Sequence, residues 1–243
     1  MEVHVLKVPF SFNGREDSLY PVILRSSSET ILVDCGYPGF MPLIEVAAQV
    51  HGLSLRDITG VLITHHDLDH MGGLAEIKAA YPSLKVYAAE LDEPYISGKE
   101  KSLRLVQAEY LYDSLPEEQK PGALYFQEML MSMIPVAVDH TFTADEEPAV
   151  LSGARIIHTP GHMPGHISIF LPDNRTLIAA DAVVVEDGEL EIANPHFTLD
   201  LPEAVASVDK LRMLAIDKLV CYHGGVVEGN IQHRLNKLVG RYT

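Results

Sequence analysis

Apolar residues fall into short runs along this chain, separated by polar, glycine-rich or proline-rich breaks. Val3, Val5 and Val8 are β-branched, and Tyr20–Leu24 and Thr30–Asp34 are apolar runs flanking Ser26-Ser27-Ser28-Glu29. That is the pattern of strands with a hairpin turn. In Met41–His51, Leu43, Ile44, Val46, Ala47 and Val50 recur at helical spacing. Gly60–Thr64 (GVLIT) is continuously apolar and predicts a strand buried on both faces. Gly72-Gly73 is expected to turn the backbone tightly into a helix reaching Ala80, and Lys85–Ala89 predicts another strand.

Residues 91–139 are rich in Leu, Met, Tyr and Glu and lack strand alternation. Two or three helices are expected there, broken at Pro116 and Pro121-Gly122. Their Tyr95, Tyr110, Tyr112, Tyr125, Phe126, Met129, Met131 and Met133 would either wall a substrate pocket or pack the helices onto the core or a second copy. Strand patterns return at Ala154–His158, His166–Leu171, Thr176–Ala180 and Lys218–Tyr222, with helices expected over Pro202–Leu214 and Ile231–Tyr242. Alternating strands and helices without a clear linker predict one α/β domain over 1–243, with a helical, cap-like insertion at about 91–139.

Composition narrows the function classes. With 47% hydrophobic and 21% charged residues, disorder does not describe the whole chain. No apolar run approaches the roughly 20 residues that span a bilayer. The first residues lack a basic-then-apolar leader, and two cysteines suit free thiols, so a cytoplasmic location is expected. A net charge of −16 disfavours nucleic-acid and anionic-membrane partners. A small molecule is the expected partner, and a homodimer is left open. Twelve histidines direct the search to metal sites.

Thr64-His65-His66-Asp67-Leu68-Asp69-His70-Met71-Gly72-Gly73 follows the buried strand directly. A strand-to-loop exit lets successive side chains splay, so Asp69 and His70 can converge where a regular helix or strand would part them. His65 and Asp67, two apart, share one direction. The block suits two neighbouring metals. Thr159-Pro160-Gly161-His162-Met163-Pro164-Gly165-His166 is a stiffened loop with two histidines, Asp181 ends an apolar strand, and His223 follows another. Ligands at the ends of rigid strands fix metal geometry.

In these blocks the sequence resembles the metallo-β-lactamase superfamily. The family motif H-x-H-x-D-H falls at His65-x-Asp67-x-Asp69-His70, followed by His162 in a TPGH loop, Asp181 and His223. Val33-Asp34-Cys35-Gly36 is similar to the early I-D-x-G strand end, and the likeness covers about residues 30–225. It implies an αβ/βα four-layer sandwich: two mixed sheets back to back, helices outside, metals at one edge. It also implies a first metal on His65, Asp67 and His162, a second on Asp69, His70 and His223, and Asp181 bridging them.

Two divalent ions are therefore expected, zinc first, with manganese or iron as alternatives. Metals about 3.5–4 Å apart share a water acidified to hydroxide near neutral pH. The implied activity is hydrolysis of a small ester, lactone or thioester, with Asp69 as the catalytic proton shuttle. Phosphoesters share the chemistry, but the nuclease branches need an extra domain and a basic groove. Asp67 stands where the family has its second histidine. It adds negative charge and hardens the donor set toward manganese or iron. The flavodiiron branch carries Glu there, with a flavin domain for which this chain is too short. Val184 replaces the Tyr that signal lactonases place three residues after the bridging Asp, which counts against that activity. The alternatives are a one-iron oxidoreductase resembling persulfide dioxygenases, on His65, His162 and Asp181, and a non-catalytic metal-binding protein.

Of the remaining histidines, His66 and His166 are expected beside the donors rather than among them. His4, His51, His140, His158 and His233 are expected to be solvated or satisfied, and so is His196, with a place at the pocket rim, 15 residues after Asp181, as its alternative. Asp34 reads as a hydrogen-bonding anchor and Cys221 as a buried strand cysteine.

Overall fold

Strands whose two faces are both apolar must be covered on both sides, and this requirement sets the layering. The computed structural model describes residues 1–12, 14–143 and 145–242. From the N-terminus the elements are β1 (Glu2–Val5), β2 (Val8–Phe12), β3 (Arg15–Leu19), β4 (Val22–Arg25), β5 (Thr30–Val33), α1 (Met41–Val50), β6 (Gly60–Ile63), α2 (Leu68–Met71), α3 (Leu74–Ala80) and β7 (Lys85–Ala89). Helices α4 (Glu93–Ile96), α5 (Leu103–Tyr112) and α6 (Lys120–Met131) follow. The chain then forms β8 (His140–Phe142), β9 (Arg155–His158), β10 (Ile167–Leu171), β11 (Thr176–Ala180), β12 (Val184–Glu186), β13 (Glu189–Glu191), α7 (Leu201–Leu211), β14 (Lys218–Cys221), β15 (Gly225–Glu228) and α8 (Ile231–Val239).

Two mixed sheets result, ordered β1-β4-β5-β6-β7-β8 and β15-β14-β11-β10-β9. Strands β5 to β8 run parallel, as do β11 and β14; the other pairings in the two sheets are antiparallel. Successive strand residues point to opposite faces. Val22, Leu24, Ile31, Val33 and Leu62 thus meet Ile156, Ile167, Ile169, Ile178 and Val220 between the sheets. Ile23, Leu32, Val61 and Ile63 face outward onto Ile44, Ala48, Leu74 and Ile77 of α1 and α3. Leu177, Ala179, Leu219 and Cys221 face α7 and α8 through Val208, Leu211, Leu235 and Leu238. The fold is the expected αβ/βα sandwich. The C-terminal ends of β5, β6, β11 and β14 deliver Asp34, Thr64, Asp181 and His223 to one edge.

Several local expectations change. Pro121 and Gly122 lie inside the first turn of α6 instead of breaking it, because proline there forgoes only an amide with no helical partner. Gly72 and Gly73 have ordinary helical φ values of −60° and −79°. Their need for glycine is close approach: a Cβ at Gly72 would lie 2.4 Å from Pro38 Cδ, and one at Gly73 2.3 Å from the Cys35 carbonyl oxygen. The hairpins β2–β3 and β12–β13 were not anticipated. The second turns through Asp187 and Gly188, both at positive φ, a two-residue turn that the Asp-Gly pair encodes.

Candidate metal centre

The site is assembled from strand ends upward. Strand β6 is wholly buried and delivers Thr64 against Asp34, which sits at the end of β5 with φ 60°. Asp34 Oδ1 accepts from the Thr64 amide at 2.8 Å, and Oδ2 accepts from the Thr64 hydroxyl at 2.8 Å. Oδ2 also lies 2.8 Å from His70 Nδ1. That contact places the proton on Nδ1 and turns the Nε2 lone pair toward the centre. The Thr64 oxygen, having donated its proton to Asp34, faces His65 Nδ1 at 3.1 Å and does the same for His65.

Asp181 follows Ala180, whose φ of 47° accompanies a register shift between β11 and β14. Left-handed alanine is strained by about 1 kcal/mol; here it redirects the next carboxylate into the site. His166 is buried and anchors that turn: its Nε2 accepts from the Asp181 amide at 3.1 Å and its Nδ1 meets the Thr159 hydroxyl at 2.8 Å. His162 Nδ1 lies 3.5 Å from Thr198 Oγ1. Tyr222 donates to the Asp69 carbonyl at 2.6 Å and accepts from the Gly36 amide at 3.2 Å, tying β14 to the motif.

These supports bring His65, Asp67, Asp69, His70, His162, Asp181 and His223 together. Three overlapping donor groups form: His65–Asp67–His162, His65–His70–Asp181 and Asp69–His70–His223, each with donor atoms within 4.8 Å of one another. Asp67 Oδ2 is 3.5 Å from His65 Nε2 and 2.9 Å from His162 Nε2. Asp181 Oδ1 is 3.3 Å from His70 Nε2 and 3.6 Å from His223 Nε2, while Oδ2 is 3.6 Å from His162 Nε2. Asp69 Oδ2 reaches His223 Nε2 at 3.1 Å and His70 Nε2 at 3.9 Å. Asp69 and His70 converge from the single turn α2, not from an irregular loop as expected. The Asp34 contact holds the His70 ring so that its tip approaches the shorter Asp69 side chain.

The donor set fits divalent metal. His65 Nε2, His70 Nε2 and Asp181 Oδ1 are buried without a hydrogen-bond partner, an arrangement that is destabilising unless something else binds them. Burial, followed by repulsion from His70, holds the His65 pKa well below its ordinary value, so it presents a neutral nitrogen. Burial opposes charge on His70 too, but Asp181, Asp34 and Asp69 outweigh it and raise its pKa. Burial raises the Asp67 and Asp181 pKa values; Arg104 for Asp67, and His223 with His70 for Asp181, more than reverse this. Both therefore remain carboxylates.

His223 supplies a pH prediction. Burial disfavours its cation, but Asp181 and Asp69 lift its pKa to about 9. A histidine raised from an unfolded value near 6.5 stabilises the fold fully below that pH and ceases to do so as pH rises through about 9. Chelator-stripped protein is expected to lose thermal stability between pH 6.5 and 9.5. Metal-loaded protein, with His223 held neutral, should not show that decline. A flat profile for the stripped protein in a pH-resolved melting series would contradict the assignment.

Arg104 was missed from sequence, and His66, expected beside the donors, takes a role that was not foreseen. Arg104, on α5, is 3% exposed and forks onto Asp67. His66 holds the same helix start: its Nε2 accepts from the Leu103 amide at 3.3 Å, its Nδ1 lies 3.1 Å from buried Asp92, and its ring stacks on Tyr95 at 4.4 Å. The available signal was a lone cation in the apolar run Leu103-Arg104-Leu105-Val106, in a chain whose motif carries an extra acid.

Above the centre lies a cavity of about 560 Å³. Tyr37, Leu68, Phe126, Leu130, Val184 and Phe197 give it apolar walls, and Asp17 and Glu186 also line it. Of the insertion's aromatic and methionine residues named above, Phe126 alone is among the lining residues. Tyr110, Tyr125 and Met131 point to solvent, while Met129 and Met133 pack under the helices. Exposed His196 is not part of the wall; its neighbours Asn194 and Phe197 are.

Histidines and carboxylates gathered at the strand ends of a two-sheet αβ/βα sandwich define a class of metal-dependent hydrolases. The Metallo-beta-lactamase superfamily model matches residues 20–223, and the chain belongs to that family. It is 28% identical over 228 residues to the probable metallo-hydrolase YflN of Bacillus subtilis, covering 88% of this chain and 82% of that one. It is 31% identical over 200 residues to a hydroxyacylglutathione hydrolase of Rhodopseudomonas palustris, covering 82% of this chain and 58% of the relative. A metallo-beta-lactamase family protein of Thermus thermophilus shares the fold with a TM-score of 0.75 at 22% identity, over 99% of this chain and 79% of that one. Among the described residues no helix is long and apolar enough to cross a membrane.

Proposed function

We propose that this protein is a dinuclear metal-dependent hydrolase of small, neutral, partly apolar esters, lactones or thioesters. The observation that carries the reading is the pair of donor clusters, His65–Asp67–His162 and Asp69–His70–His223, with Asp181 within 3.6 Å of a nitrogen from each. When bound, two divalent ions supply Lewis-acid polarisation and an acidified water. The chain's own residues do the rest. Asp34 and Thr64 fix the tautomers of His70 and His65. Asp69 lines the cavity and carries the proton from the nucleophile to the leaving group. Tyr37 lines it as well; burial, followed by repulsion from Asp69 and Asp17, raises its pKa, so the phenol remains a neutral donor. A one-iron oxidoreductase would have no use for Asp69, His70 and His223 as iron ligands, which favours the hydrolase.

Thioesters, one of the three candidate bond types, are in keeping with the hydroxyacylglutathione hydrolase relative. A linear primary-alkylsulfatase of Pseudomonas is also 29% identical over 209 residues, though this chain spans only 38% of it. Anionic substrates such as sulfate esters suit this cavity poorly. Asp17 and Glu186 line it, and its one Lys or Arg among the described lining residues, Arg104, is already committed to Asp67.

The test is a panel of neutral and anionic esters, lactones and thioesters, followed by acid release with and without chelator. Neutral members should be cleaved, and with kcat/KM several-fold above matched anionic ones, since two solvated like charges repel by about 0.2–1 kcal/mol each. Glu186→Gln should narrow the gap. Preferential cleavage of anionic members, or no cleavage of any member by metal-loaded protein, would contradict the reading.

A further inference from the structure

Arg104 has no role in the chemistry above, yet it is fixed at the centre. Its Nε donates to Asp67 Oδ1 at 2.9 Å and its Nη2 to Oδ2 at 2.6 Å. Nη1 donates to Gln107 Oε1 at 2.5 Å, and the guanidinium carbon lies 5.3 Å from the Phe197 ring centroid. The helix start is gripped as well, since the Leu103 amide donates to His66. Adjacent motif residues His66 and Asp67 thereby hold adjacent helix residues Leu103 and Arg104.

Arg104 Nη2 also lies 3.3 Å from His162 Nε2, the nitrogen that sits 2.9 Å from Asp67 Oδ2. One imidazole nitrogen cannot accept from the guanidinium and donate to the carboxylate at once. The first cluster therefore holds a crowded cation. The second does not: the ion-pair partners of Asp69 and Asp181 among the described residues are His70, His162 and His223, with no Lys or Arg.

We propose that Arg104 is a built-in counter-ion that makes the His65–Asp67–His162 position the weaker of two metal positions, so that the Asp69–His70–His223 position loads first. The proposal rests on the two-ion reading above. Two effects carry it. A guanidinium fork occupies both oxygens of Asp67 and cancels the charge that Asp introduces where the family has His, so the donor set is not hardened as Asp67 alone would imply. The fixed positive charge also repels an incoming divalent ion. At an effective dielectric near 20, a bare unit charge about 4 Å away would weaken binding of a divalent ion by roughly a thousandfold or more; with the paired Asp67 carboxylate offsetting most of this, a net gap of at least roughly tenfold is expected.

The experiment is stepwise addition of zinc to chelator-stripped, full-length protein, read by calorimetry. Wild type should take one equivalent tightly and a second at least roughly tenfold more weakly. His162→Ala should abolish the weak equivalent and keep the tight one; His70→Ala should abolish the tight one. Arg104→Met should strengthen the weak equivalent by roughly tenfold or more, while Arg104→Lys, which keeps the charge without the fork, should retain most of the gap. Equal affinities in wild type, loss of the tight equivalent in His162→Ala, or weaker second binding in Arg104→Met would overturn the proposal. If Arg104→Met fails to fold, the wild-type and His162→Ala measurements still decide the loading order, and Arg104→Gln, which keeps a donor to Asp67 without the charge, decides the part of Arg104: an unchanged gap there would overturn the proposal. A single ion at every zinc concentration, in wild type and Arg104→Met alike, would instead sink the two-ion reading.

Discussion

Asp69→Asn is expected to lower kcat by roughly 10²–10⁴, the usual contribution of a positioned proton-transfer group, while KM moves little. Asp69 is half-buried, lines the cavity and lies 3.1 Å from His223. Asparagine keeps the size and one oxygen but cannot carry a proton between nucleophile and leaving group. Asp69 is also a donor of the second cluster, so metal content must be measured on the same samples. Under saturating zinc, a fall in kcat with ions still bound separates proton transfer from metal loss. Unchanged turnover in Asp69→Asn would end the shuttle role.

Metal removal should have the other large effect. Chelation is expected to abolish hydrolysis and to lower the melting temperature by about 10 °C. A ligand at a thousand times its Kd stabilises by about 4 kcal/mol, and each kcal/mol moves the midpoint of a domain this size by about 2–4 °C. The local reason is the gathering of Asp34, Asp67 and Asp181, all buried, around imidazoles whose inward nitrogens include two, on His65 and His70, that make no hydrogen bond. Re-addition of zinc should restore both properties. Identical melting with and without chelator would show that these atoms are not metal donors.

Much of this centre was legible because its parts follow strand ends. A buried run such as Gly60–Ile63 can stop only where polar residues begin, so its last turn announces the donors that follow. Asp181 and His223 stand out for the same reason. The backbone strain that aims Asp181 is invisible in Ala179-Ala180-Asp181, because alanine gives no hint of left-handed φ. Arg104 was hidden for a different reason: it lies 37 residues from Asp67, and the start of α5 is held by His66, itself positioned by Asp92 and Tyr95. The insertion's conspicuous aromatics misled, since helical periodicity does not say which face is inward; Tyr110 is 83% exposed while Phe126 lines the cavity. The short hairpin strand Arg15–Leu19 escaped because its exposed, charged residues do not alternate.

The most direct test of the central claim is the number of metal ions held per chain, by elemental analysis after equilibrium dialysis against free zinc or manganese above the weaker site's Kd. Two ions per chain, falling to about one in His70→Ala, is the predicted result. One ion per chain at saturation, or a single iron retained from purification that zinc does not displace, would contradict the dinuclear hydrolase and point to chemistry at one iron.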